Sequence, residues 1–208
     1  MAKTAHYHTR FFSDHFYHVY NRTVDRKAMF SNDGNYRFFL KQYDHYLSDV
    51  ADTYAYCLLG NHFHLLIRVR NESDLAAFCA GNTEKTAHQI VSHQFRKFFQ
   101  SYAMAYNKQQ DRVGTLFQTP FKRVQVDSEK YFAQLIYYIH ANPQLHGLTS
   151  NFTSWPWSSY GAMLADKPTK LRKQEVVEWF GNIDEFRKYH TQAPALPLTD
   201  DLLLEDDV

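Results

Sequence analysis

The sequence predicts an α+β fold: a four-stranded antiparallel sheet with two helices on one face, in the ferredoxin-like order β-α-β-β-α-β, plus a C-terminal helical extension. Three observations predict it. Short runs rich in aromatic and β-branched residues recur at 16–22, 53–59, 62–70 and 121–126. Two stretches of helical periodicity fall after the first run and before the last. Between the middle two runs stands Gly60-Asn61, a pair suited to a tight hairpin turn with positive φ at the glycine.

In chain order, Phe16 to Arg22 reads as the first strand, with Tyr17 and Val19 on one face and His18, Tyr20 and Arg22 on the other. Ser31-Asn32-Asp33-Gly34 supplies N-caps for a first helix, in which Tyr36, Phe39, Leu40, Tyr43 and Leu47 keep helical spacing. The hairpin runs from Thr53 to Leu59 and from His62 to Arg70. A polar loop containing Asn71 and Asn82 follows. Val91, Phe95, Phe98, Tyr102 and Tyr106 mark a second helix, and Gly114 breaks its pattern. Phe121 to Val126 forms the fourth strand, leading into the capping cluster Asp127-Ser128-Glu129. A third helix then runs to Asn142 and stops at Pro143. The second face of the sheet is expected to be open. Residues 1–150 are expected as one domain. Residues 151–208 are expected as an extension of short helices, around Glu175 to Phe180 and Ile183 to His190, ending in a flexible acidic tail from Ala193.

Composition limits the function. The 208 residues are 44% apolar and 22% charged, which argues against global disorder. A formal net charge of +1 gives no global field for nucleic acid. Charge is nevertheless uneven: Lys85, Arg96, Lys97, Lys108, Arg112, Lys122 and Arg123 are opposed only by Asp111, while Pro194 onward holds acids alone. A basic patch and solvated helix faces both fit that distribution. The 15 Tyr, 17 Phe and 3 Trp fill a core and leave surfaces on which bases stack. No run reaches transmembrane length, no apolar signal region opens the chain, and Cys57 and Cys79 lack paired-ligand spacing. A cytoplasmic protein is expected.

Chemistry concentrates in the hairpin. Along its second strand His62, His64, Leu66 and Arg68 share one face, and Phe63, Leu65, Ile67 and Val69 take the core face. Two imidazoles on one strand face chelate a divalent metal, or are simply solvated. In the third helix Phe132, Leu135, Ile136 and Ile139 form the buried stripe. Tyr138 and Asn142 lie four apart on one shoulder of it, and Tyr137 is turned about 100° away. A nucleophile and a third metal ligand fit that shoulder; so do a boundary aromatic and a cap before Pro143.

Together the hairpin Tyr56-Cys57-Leu58-Leu59-Gly60-Asn61-His62-Phe63-His64-Leu65-Leu66 and the helix end Tyr138-Ile139-His140-Ala141-Asn142-Pro143 resemble the REP-associated tyrosine transposases, which belong to the single-tyrosine HUH group. His18-Val19-Tyr20-Asn21-Arg22, Gly114-Thr115-Leu116-Phe117-Gln118 and Trp157-Ser158-Ser159-Tyr160 support the match, which spans about Phe16 to Tyr160. The resemblance implies that residues 1–150 are a catalytic domain, one that nicks single-stranded DNA through a 5′-phosphotyrosine at stem-loop sites. It implies Tyr138 as nucleophile and His62, His64 and Asn142 as metal ligands. Two positions depart from the family pattern. Leu59-Gly60 stands where Met-Pro is common, and Pro120 replaces an Arg that would contact phosphate.

An amide oxygen beside two imidazoles favours a hard cation, so Mg²⁺ or Mn²⁺ is expected as cofactor. Arg22 and Arg68 on the histidine face, with Lys122 and Arg123 at the start of the fourth strand, are the candidate DNA contacts. The chain is expected to act as a monomer or homodimer. The absence of GxxxxGK[ST] agrees with strand transfer that needs no ATP. A ferredoxin-like module that binds single-stranded RNA or DNA without chemistry, and a metal-dependent hydrolase, are the alternatives.

Overall fold

The order β-α-β-β-α-β is present in the computed structural model, which describes residues 9–80 and 84–192. Strands β1 (Phe16–Arg22), β2 (Ala51–Leu58), β3 (His62–Val69) and β4 (Lys122–Val126) form one sheet in the order β2-β3-β1-β4. All pairings are antiparallel, and the register sets Tyr20 opposite His64 and Arg22 opposite His62. The expected tail from Ala193 and Asn82 lie outside the described residues.

One face carries α1 (Asp33–Leu47) and α3 (Ala87–Gln109). Asn32 caps α1 by accepting from the Asn35 amide, and Thr86 with Gln89 forms a capping box on α3. Their apolar stripes, Phe39 and Leu47 with Val91, Phe95 and Phe98, bury Tyr17, Val19, Phe63, Leu65 and Ile67 of the sheet. A short helix, α2 (Glu72–Phe78), occupies the expected polar loop. It buries only Leu75, too little apolar periodicity to be read from sequence.

The opposite face is not open. Helix α4 (Glu129–Leu145) crosses it against β2 and β3, placing Phe132, Leu135, Ile136 and Ile139 over Tyr54, Ala55, Cys57 and Leu66. Helices α5 (Tyr160–Leu164), α6 (Lys173–Trp179) and α7 (Ile183–Gln192) close the layer through Tyr160, Met163, Val176 and Phe186. Helix α4 is buried nearly all round rather than along one stripe. It also continues through Pro143, because a proline in the last turn removes only one backbone bond. The end closes with His146 N–H donating to Asn142 O at 2.9 Å and Gly147 at φ 67°.

The hairpin turn departs from expectation as well. Gly60 takes no positive φ, and a Cβ there would meet nothing within 4 Å. The turn is held from outside: Met29 N–H donates to Gly60 O (2.8 Å) and Asn61 Nδ2 to Arg26 O (2.7 Å).

A buried polar chain ties β2, α4 and α7 together. The Tyr56 amide donates to Ser159 Oγ (2.9 Å), Ser159 Oγ lies 2.8 Å from His140 Nε2, His140 Nδ1 lies 2.9 Å from His190 Nε2, and His190 Nδ1 lies 2.8 Å from Phe186 O. A carbonyl only accepts, so His190 carries its proton on Nδ1. Its neutral Nε2 then accepts from His140 Nδ1, and His140 Nε2 accepts from the Ser159 hydroxyl. Burial pulls the His190 pKa from 6.5 down to about 4. The unfolded chain takes up this proton first, so acid favours unfolding between about pH 6.5 and 4. Urea midpoints are expected to fall across that interval, and His190→Gln to flatten the fall. An equal slope in wild type and variant would remove His190 as its cause.

Among the described residues, no helix is long and apolar enough to cross a membrane.

Candidate active site

Both histidines of β3 turn toward α4, their ring centroids 5.2 Å apart and nearly perpendicular. Asn61 Nδ2 donates to Arg26 O, which fixes the amide so that its Oδ1 faces His62 Nδ1 at 2.7 Å. His62 therefore holds its proton on Nδ1 and keeps a lone pair on Nε2, a buried atom with no hydrogen-bond partner. His64 Nδ1 is engaged by His18 Nε2 at 3.1 Å. Both rings thus have Nδ1 engaged by a neighbour, the arrangement that orients imidazoles for ligation through Nε2. Burial pulls the His62 pKa down to about 3, helped by His146 and Arg22 and opposed by Asn142. The same burial holds His64 well below the ordinary histidine value. Both imidazoles are neutral at pH 7.

Helix α4 brings the other two residues. The Tyr138 ring stands edge-on to His64 at 5.6 Å and to His18 at 6.3 Å, and the residue is 3% exposed. One turn later, Asn142 directs Nδ2 to Tyr138 O at 3.5 Å. Its Oδ1 is buried with no hydrogen-bond partner. Two partnerless acceptors, His62 Nε2 and Asn142 Oδ1, thus sit on facing elements, where buried polar atoms are nearly always satisfied. A divalent cation satisfies such a set, and two imidazoles with one amide oxygen fit it chemically. Among the described residues, no group of three His, Cys, Asp or Glu side chains could hold a metal, so the amide is needed to complete the set.

No family model matches this chain. A protein of Haemophilus influenzae named for the REP-associated tyrosine transposases is 26% identical over 135 residues, covering 64% of this chain and 69% of that protein. A solved REP-associated tyrosine transposase bound to a REP hairpin aligns with a TM-score of 0.59 at 15% identity, covering 77% of this chain and 87% of its own. The chain is thus similar in sequence to one protein named for the REP-associated tyrosine transposases and in fold to another.

The four candidate DNA contacts do not converge. Arg22 pairs with His62 across β1 and β3, and Lys122 lies over the Tyr20 ring, 5.7 Å from its centroid. Tyr20 in turn stacks on His18 and His64. These two cations stay on the histidine face. Arg123 does not: it is opposite Val19, on the α3 face, donating to Thr9 O at 2.7 Å and packing over Phe11 and Phe121. Neighbours on a strand point to opposite faces, so Lys122 and Arg123 could not both serve one site. Arg68 is on the correct face but six residues from His62, roughly 20 Å along the strand. Asp52 (3.2 Å) and Glu175 (3.4 Å) hold it there.

Tyr137 is turned to the C-terminal helices, its ring 5.9 Å from His190 and 6.5 Å from Tyr189. Sequence reasoning missed His146, whose ring meets that of His62 at 4.8 Å. Its position four residues after Asn142 was the available signal.

Proposed function

We propose that this chain is a metal-dependent single-stranded DNA transesterase, which nicks and rejoins stem-loop DNA through a 5′-phosphotyrosine on Tyr138. The observation that carries this reading is the placement of Tyr138 beside His64, one turn from Asn142, with the Asn142 and His62 acceptors both buried and partnerless. The sequence relationship and the hairpin carried by the structural neighbour support a DNA stem-loop as substrate.

His62 Nε2, His64 and Asn142 Oδ1 would hold Mg²⁺ or Mn²⁺, which supplies charge neutralisation on the scissile phosphate when bound. Tyr138 Oη attacks phosphorus in line. The new Tyr–O–P bond forms as the P–O3′ bond breaks, and the departing 3′ oxygen takes up a proton as the phenol gives one up. A 3′-hydroxyl attacking the phosphotyrosine reverses the step, so bond energy is conserved. Arg22 and Lys122 position the backbone by charge. The burial of Tyr138 supports a single-strand requirement, because a stacked duplex cannot direct one phosphate into so enclosed a site. We place this activity in the cytoplasm, with the chain acting as a monomer or homodimer.

Incubation of stem-loop single strands with Mn²⁺, followed by a denaturing gel, tests the reading. A covalent protein–DNA band is expected from the stem-loop and none from blunt duplex. Free nicked product without adduct would point to a hydrolase, and retention without cleavage to a binding module. Efficient cutting of duplex would overturn the single-strand requirement.

A further inference from the structure

On the face away from the histidines, a groove of about 600 Å³ runs between α3 and the loop 114–121. We propose that it is a second nucleic-acid subsite, which takes unstacked bases of the single strand leaving the Tyr138 site. The inference rests on the DNA reading above, and the experiment below separates the two.

The groove's volume falls within the range of about 300–1,000 Å³ typical of small-molecule sites. Its floor is aromatic: Phe99 lies 5.0 Å from Phe117 and 5.3 Å from Phe121, ring to ring, and Phe99 and Phe121 are only half-buried. Every base has a π-face, so such a floor accepts bases without regard to sequence. Charge selects the same class of ligand. Arg96 and Arg123 line the groove and no carboxylate does, which suits a strand carrying one phosphate per nucleotide. Met104, on the α3 side of the groove, is 65% exposed and adds apolar surface to its wall. The composition of residues 85–123 thereby acquires a role: part of its cationic excess lines an aromatic groove.

The groove adjoins the catalytic face through one loop. Gln118, which lines it, donates its amide to Arg22 O (2.8 Å), and its carbonyl accepts from Asn21 Nδ2 (3.1 Å). Arg22 stands opposite His62, and Lys122, at the end of the same loop, covers Tyr20. A strand passing over Arg22 therefore meets the groove after crossing the width of that loop. The phosphate side of the strand stays with Arg22 and Lys122 while its bases turn inward onto Phe99 and Phe121.

Fluorescence anisotropy with oligothymidylate and an abasic oligonucleotide of equal length tests the inference, in wild type and in Tyr138→Phe. Both proteins are expected to bind oligothymidylate at least about tenfold tighter than the abasic strand, as stacking of even one base implies. Ala103→Trp, which fills the groove, is expected to abolish that preference while leaving affinity for the abasic strand unchanged. Should Ala103→Trp fail to fold, as judged by its thermal melt, the exposed pair Arg96→Gln with Met104→Ala replaces it and is expected to reduce the preference severalfold. A base preference that survives in a folded groove variant overturns the proposal, as does its absence from wild type. So does capture of an apolar peptide in place of DNA. Loss of the preference with no adduct ever seen at Tyr138 overturns the catalytic reading alone. An adduct with a groove-independent preference overturns the groove alone.

Discussion

Tyr138→Phe is expected to eliminate the 5′-phosphotyrosine adduct, with DNA binding and stability close to wild type. The substitution removes one oxygen and keeps the ring that packs edge-on to His64 and His18. The stability cost is that of a single polar contact, on the order of 1 kcal/mol. Strand transfer loses its nucleophile outright, so cleavage should fall by roughly a thousandfold or more. Tyr137→Phe is the matched control. Tyr137 is adjacent in sequence and also buried, but its ring faces Phe152, Tyr189 and His190 rather than the sheet histidines. It should retain most of the activity. Denaturing gels of the two variants with one stem-loop substrate decide the matter. Adduct in Tyr138→Phe and none in Tyr137→Phe would mean that the helical phase is wrong, and Asn142 would lose its assignment with it.

The parts of this site that were legible in the sequence are those set by short periods. Alternation along β1 and β3 places His18, Tyr20, His62 and His64 on one face, and the register keeps them adjacent. Helical phase separates Tyr138 from Tyr137 with no knowledge of the fold. What escaped was non-local. The second sheet face was read as open because the β-α-β-β-α-β order puts its helices on one face, and nothing local showed that α4 and the C-terminal segment would cover the other with His140, Ser159 and His190 inside. Those side chains are buried because they satisfy one another across gaps of 19 and 50 residues, which no local pattern reveals. Arg123 was misplaced for a different reason. Grouping it with Lys122 by charge ignored the two-residue period that the same reading had applied to the histidines.

His62→Ala and His64→Ala are each expected to abolish adduct formation, and the decisive readout does not depend on activity. In the metal-free protein His62 Nε2 and Asn142 Oδ1 are buried acceptors with nothing to accept, so the site is held at a free-energy cost. Removing the His62 imidazole removes one of those two atoms, and the variant's metal-free melting temperature should stay near that of wild type. Mn²⁺ should then separate the proteins. A ligand that binds only the folded state adds about 2.7 kcal/mol at a hundred times its Kd, so wild type should melt higher with Mn²⁺ and the variants should not. Asn61→Ala leaves every ligand in place but takes away the oxygen that fixes the His62 tautomer. Its Mn²⁺ affinity should drop by roughly 10–100-fold, the usual cost of losing such an orienting partner. Calorimetry that finds equal Mn²⁺ affinity in wild type, His62→Ala and His64→Ala would remove the metal from this site. Tyr138 would then stand beside the neutral His64 with only Arg22 and Lys122 to offset the charge of a phosphate.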